Sequence, residues 1–204
     1  MGPKDHRIRM NDGQGEFDTL EDILPADIAP HGKKLIMLIV GKRPALISVS
    51  IGHYFQGTHG AAFRESLRRY GIMLVPEGEH EDDLLLDHLY GVTDFVKRPA
   101  GAGEEPTDAE YLENTKRVVQ LMKTHEPDIL LFLYKPPLLQ FLKAMSVGDR
   151  TPKYGFNPSL EEAIGVKILL CPIRGVGGVT KKEIQGAMIE LGDAIKGTRA
   201  RCEL

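Results

Sequence analysis

Three short stretches carry residue types that could do chemistry together. Gly41-Lys42-Arg43-Pro44 follows directly on the apolar run 35–40. Gly52-His53-Tyr54-Phe55 comes soon after, ahead of a loop with Gly57 and Gly60. Thr93-Asp94 lies in the weakly alternating stretch 90–96. A buried strand that ends in a Gly-x-x-Pro turn, with an aromatic and histidine cluster close behind, is how open α/β sheets build ligand sites off the carboxyl ends of their strands. The Arg43 guanidinium has no acceptor and stays protonated. It can hold an anionic leaving group or a phosphate, but it cannot take a proton. Asp94, His53 and His59 could take one. Each also has a plainer use: Asp94 could cap a turn or pair with Arg98, and the histidines could be surface or loop-packing groups.

A fourth stretch, Arg174-Gly175-Val176-Gly177-Gly178, precedes a helix start at Thr180-Lys181. Its backbone N–H groups could cradle a phosphate at the helix N-terminus, although a tight turn is the plainer explanation of the glycines. Glu79-His80-Glu81-Asp82-Asp83 has metal-ligand residue types but reads as an exposed acidic loop, so no metal and no cofactor is expected. Common signatures fail. Neither Gly32-Lys33 nor Gly41-Lys42 is followed by the Ser or Thr of a phosphate-binding loop. There is no G-x-G-x-x-G, G-x-S-x-G or His-Glu-x-x-His.

The elements that must position these residues follow from apolar periodicity. Residues 1–16 read as a flexible polar tail, and 17–204 as a single domain. Phe17, Leu20, Ile23 and Leu24 have helical spacing. The runs 35–40 and 129–134 are apolar throughout and 166–171 is apolar apart from Lys167, as in strands buried on both faces. Stretch 90–96 is rich in β-formers, and 72–75 reads as a short strand or extended piece. Helices are expected over 60–70, with Phe63, Leu67 and Tyr70 on one side, and over 136–145, while 84–89 has helical character. Thr107 with Glu110, and Thr180 with Glu183, have capping-box spacing and open two more helices. Tyr111, Val118, Val119 and Met122 form the buried stripe of the first, and Ile184, Met188, Leu191 and Ile195 that of the second. Residues 148–159 read as a polar loop. Buried strands alternating with helices give an α/β fold: a three-layer α/β/α sandwich with a mostly parallel sheet of about four strands.

Composition sets the outer limits. The chain has 204 residues, 42% hydrophobic and 27% charged, with a formal net charge of −3. That suits an ordinary soluble domain with a full core. A pI near 6.2 argues against a strongly basic duplex-binding surface. The basic pairs sit near element ends, so a basic face on an acidic molecule stays open as a reading. Cys171 and Cys202 form no disulfide framework, and Cys171 should be a buried thiol. With no apolar signal region at the start and no membrane-length apolar run, a cytoplasmic protein without membrane association is expected.

Taken together, these stretches resemble the uracil-DNA glycosylase superfamily, in particular its mismatch-specific uracil/thymine branch. Gly41-Lys42-Arg43-Pro44-Ala45 takes the place of the family's G-I-N-P-G, and Gly52-His53-Tyr54-Phe55 that of its second motif, at the family's spacing. The segment Thr19-Leu20-Glu21-Asp22-Ile23-Leu24 is similar to the family's lead-in. Tyr90-Gly91-Val92-Thr93-Asp94-Phe95-Val96-Lys97-Arg98-Pro99 looks like its G-V-T-x-L-V-x-R-P block, the most specific match. Cys171-Pro172-Ile173-Arg174-Gly175-Val176 falls where the family has L-P-N-P-S-G-L. The resemblance spans roughly 17–196.

The resemblance implies a DNA base-excision glycosylase: a flipped base enters a pocket and its N-glycosidic bond is hydrolysed. Phe55 would be the stacking ring, with Gly41, Lys42, Pro44, His53, Tyr54 and Thr93 around the base. Val176 would be the wedge, and Arg174, Gly175, Gly177 and Lys181 would hold DNA phosphate. The partner implied is DNA with a damaged or mismatched base, and a monomer is favoured. One departure matters. Arg43 replaces the Asn or Asp that positions the attacking water, which leaves Asp94 as the base candidate and Arg43 as an electrostatic one. The other reading is a member that keeps the pocket and binds nucleic acid or nucleotide without turnover.

Overall fold

The computed structural model describes residues 4–25, 34–101, 103–148, 151–173 and 178–202. Its centre is a five-stranded sheet built from β3 (Met37–Gly41), β4 (Tyr90–Asp94), β5 (Ile129–Phe132), β6 (Gly155–Phe156) and β7 (Lys167–Leu170). The order is β4-β3-β5-β7-β6. All pairs are parallel except β6 with β7. Period-2 alternation between two covered faces explains why the strand runs are apolar at nearly every position, Lys167 at the start of β7 excepted. Met37, Ile39, Ile129, Leu131 and Leu169 enter one core, and Leu38, Val40, Leu130, Phe132, Ile168 and Leu170 the other.

Helices cover both faces. The first core is closed by α2 (Gly57–Arg69) through Phe63 and Leu67, and by α6 (Lys181–Cys202) through Met188, Leu191 and Ile195. The second is closed by α3 (Asp108–His125) through Tyr111, Val118 and Met122, and by α4 (Lys135–Ala144) through Leu138, Phe141 and Leu142. Short helices α1 (Leu46–Ile51) and α5 (Pro158–Ile164) complete the layers. Both expected capping boxes form: Thr107 and Glu110 exchange bonds at the start of α3, and Thr180 and Glu183 do so ahead of α6. Cys171 is buried. No helix of the described residues is long and apolar enough to cross a membrane.

Four expectations are corrected. The polar start is not a tail throughout: β1 (Arg7–Asn11) pairs antiparallel with β2 (Glu16–Leu20) in a hairpin. Phe17 and Leu20 therefore belong to a strand rather than to a helix. The spacing misled because β2 buries only its last two residues, so no clean alternation exists to read. Stretch 72–75 forms no strand, since Tyr90 and Leu67 already use nearby backbone groups there. Finally, loop 148–159 holds the two-residue strand β6 and the start of α5, too short to leave a period.

Candidate functional site at the carboxyl ends of β3, β4 and β5

The chain passes from β3 outward to β4, then crosses back to β5 on the other side of β3. Such a reversal opens a crevice beyond the strand ends. A cleft of about 120 Å³ lies there, lined among others by Lys42, Tyr134, Lys135, Tyr154, Pro172 and Ile173. The Lys42 ammonium sits 5.1 Å from the centre of the Tyr134 ring and pairs with Glu105.

Beside it, β3 and β4 end in register, with Gly41 opposite Asp94. A Cβ on Gly41 would stand 2.1 Å from Asp94 Oδ1, so only glycine lets the carboxyl group lie across the β3 backbone. The substitution Gly41→Ala is expected to cost about 1–3 kcal/mol by overpacking. Urea unfolding would read this, and an unchanged midpoint would contradict the contact.

Asp94 is buried, and burial pushes its carboxyl group up to about 7; the Asp22 charge adds to the rise, while Lys97 and Arg117 oppose it. Asp22 goes the other way. Burial alone would raise it too, but the Lys97 and Arg117 charges, with hydrogen bonds from Thr93 and Lys97, hold it below the ordinary aspartate value. Two neighbouring carboxyl groups whose environments push them apart are how acid–base sites divide their roles. Here Asp22 is the fixed anion and Asp94 the group that changes state near neutrality.

Local structure explains the placement. Ile23 makes a single antiparallel bridge to Val92, which seats Asp22 beside Thr93. Lys97 Nζ donates to Asp22 Oδ1 at 2.9 Å, Thr93 Oγ1 donates to the same oxygen at 2.6 Å, and Arg117 donates to Asp22 Oδ2 at 2.7 Å. Arg117 also donates to the Asp94 and Phe95 carbonyls, tying α3 to the end of β4. Tyr54 is buried, and its hydroxyl donates to the Glu21 carbonyl at 2.7 Å. Burial, with the Asp94 and Asp22 charges, holds the phenol well above its usual range, so it stays neutral.

Not every expected residue reaches this place. Arg43 does not line the cleft. Its guanidinium pairs with Glu110 at the start of α3 and donates to the Arg98 carbonyl at 3.1 Å. That is a strut between loops, and the electrostatic catalytic role expected for it is not what this geometry offers. Phe55 does not form the floor either. Its ring packs 5.1 Å from Phe63 of α2, on a backbone with φ of 58°. The aromatic rings that do line the cleft are Tyr134 and Tyr154; burial first and the Asp94 and Glu105 charges next push the Tyr134 phenol up to about 12. Pro44 is buried and its carbonyl accepts from Ala100. Lys181 is exposed at the start of α6. Arg174, Gly175, Val176 and Gly177 lie outside the described residues. His53 is buried and belongs to a separate cluster with His6 and Asp82.

Residues 79–83 are also not a uniformly exposed loop. Glu81 and Asp82 are buried, Glu81 against Arg64 and Arg68 and Asp82 against His53 and the Tyr54 N–H. Asp22, Lys97, Arg117 and Tyr134 were not singled out from the sequence. Asp22 and Lys97 lay inside quoted blocks, so their residue types were the available signal. Arg117 sits on the polar side of α3, where nothing marks one basic residue above another. No family model matches the chain.

Proposed function

We propose that this protein is a DNA base-excision glycosylase of the uracil-DNA glycosylase type in which Asp94, rather than a residue of the first motif, activates the water. The single observation that supports this most is the buried Asp94 carboxyl group, poised near neutrality at the sheet crevice. A flipped base would enter the cleft beside Tyr134. Ionised Asp94 takes a proton from a water, the water oxygen bonds to the sugar anomeric carbon, and the C–N bond breaks with its electron pair going to the base. The Lys42 ammonium, which lines the cleft together with Lys135, supplies a cation for a departing anion.

The test is excision from duplex and single-stranded oligonucleotides carrying uracil, hypoxanthine, xanthine or a thymine mismatch. Turnover on at least one is expected, with a rate that rises with pH through a midpoint near 7, because the ionised form of Asp94 is the active one. Absence of cleavage on all of them at stoichiometric protein would overturn the proposal. Salt-dependent binding of the same oligonucleotides without turnover would then assign the crevice to recognition alone.

A further inference from the structure

A second constellation lies on the other side of Tyr54 and plays no part in the chemistry above. His6, His53, Asp82 and Asp83 come from three separate segments: the start of the hairpin, the loop between α1 and α2, and the turn at 81–84. One possible ligand atom from each of the four lies within 4.8 Å of the others. His6, His53 and Asp82 are buried, at 4%, 4% and 2% exposure. His6 Nε2 is 3.0 Å from Asp83 Oδ1 and 3.9 Å from Asp82 Oδ2, and His53 Nδ1 is 3.0 Å from Asp82 Oδ1.

Two observations separate this cluster from an ordinary polar patch. The first is orientation. His6 Nδ1 faces Glu21 Oε1 at 2.9 Å and Nε2 faces Asp83 Oδ1 at 3.0 Å, so the ring is held between an outer and an inner carboxylate. With the Nδ1 proton on the Glu21 side, the Nε2 lone pair is left free to meet a cation that Asp83 and Asp82 also face. An outward carboxylate that fixes the tautomer of a histidine is the arrangement of metal-binding imidazoles. The His6 backbone is fixed as well: its N–H donates to Gly52 at 3.0 Å and its carbonyl accepts from Glu21 at 2.9 Å. The second is charge. Among the described residues, no Lys or Arg pairs with Asp82 or Asp83, whose side chains are 1% and 8% exposed; their only ionic partners are histidines. The adjacent buried Glu81, by contrast, has Arg64 and Arg68. Carboxylates that are buried without a permanent cation are costly unless they coordinate one.

We propose that His6, His53, Asp82 and Asp83 bind a divalent transition-metal ion, zinc by donor set. Two imidazoles and two carboxylates with no thiolate suit a hard-to-borderline ion, and four protein ligands, three of them buried, make a closed, structural site. The ion staples the β1–β2 hairpin to the 81–84 turn and to the loop that carries Tyr54 and Phe55. His80, stacked on His53 with ring centres 3.6 Å apart, covers one side. Glu21 is a positioning residue, acting through His6.

The full-length protein, stripped with a chelator and dialysed metal-free, is titrated with zinc and, for spectroscopy, with cobalt. The expected result is about one zinc per chain, a rise in Tm on adding zinc, and the strong visible absorption of tetrahedral cobalt. Asp83→Asn keeps the shape and removes the ligand charge. It should weaken zinc binding at least about 100-fold, while Glu21→Gln should weaken it about 10–100-fold. If His6→Ala fails to fold, these two milder variants still decide the matter. Wild-type protein that binds neither ion at millimolar concentration, or variants that bind as tightly as wild type, would overturn the assignment. Neither readout depends on excision activity, so the site stands or falls apart from the glycosylase proposal.

Discussion

Replacing Asp94 by asparagine should make the protein more stable and less active at once. The stability part follows from linkage. In the unfolded chain Asp94 ionises above its ordinary value of 3.8, but in the folded protein only above about 7. Between those values the unfolded chain binds fewer protons, so stability falls as pH rises through the window and levels off above it. The contribution is fully present below 3.8 and lost above 7. At 1.36 kcal/mol per unit, the loss at pH 8 reaches about 4 kcal/mol at most. Asparagine mimics the protonated carboxyl group and does not ionise. Asp94→Asn is therefore expected to gain up to about 4 kcal/mol at pH 8 and almost nothing near pH 4, read by urea unfolding across pH. Identical pH dependence in variant and wild type would contradict it. Excision should fall about 10²–10⁴-fold in the same variant, the typical cost of a lost general base. A residue that destabilises its own fold and, in the proposed glycosylase reaction, activates the water would be held there by function.

The opposite substitution in the same pair carries the second large effect. Asp22 is the anion for two cations, Lys97 with a side chain 5% exposed and Arg117 at 27%. Asp22→Asn keeps the shape and leaves both positive charges without their partner. Removing one member of a buried ion pair costs about 3–5 kcal/mol, and the partial exposure of Asp22 and Arg117 brings the expectation to about 2–4 kcal/mol. The loss should be largest at neutral pH and shrink on acidification, because the Asp22 contribution is present above the ordinary aspartate value and disappears as pH falls. The same change removes a charge that raises Asp94 and frees two that lower it, so the Asp94 midpoint should drop below 7. A stability change within about 0.5 kcal/mol would place the pair in the surface class and contradict this account.

The layer order was legible in the sequence because a doubly covered parallel sheet writes itself as apolar runs, and 35–40, 129–134 and, but for Lys167, 166–171 are such runs. The capping boxes at Thr107 and Thr180 were legible because they are local. The hairpin of residues 7–20 was not, since its pairing buries few side chains and leaves no period. The candidate site divides in the same way. Asp94 could be found at a strand end opposite a glycine. The partnership of Asp22 with Lys97 and Arg117 depends on contacts across 75 and 95 positions of chain, which spacing does not encode. Arg43 was read from its residue type as a site cation. Its tie to Glu110 joins loops that are neighbours only in the folded chain. The acidic stretch 79–83 was read as solvated because charge runs usually are. Two histidines and two arginines from elsewhere pair with Glu81 and Asp82 and bury them.

The central claim is that the fold holds Asp94 as a carboxyl group that changes protonation near neutrality. The most direct measurement is a carbon-13 NMR titration of aspartate side-chain carboxyl groups, with the Asp94 signal assigned by its disappearance in Asp94→Asn. The account predicts a midpoint near 7 for that signal. A midpoint at the ordinary aspartate value of 3.8 would contradict it, and would remove the basis for placing proton transfer at the end of β4.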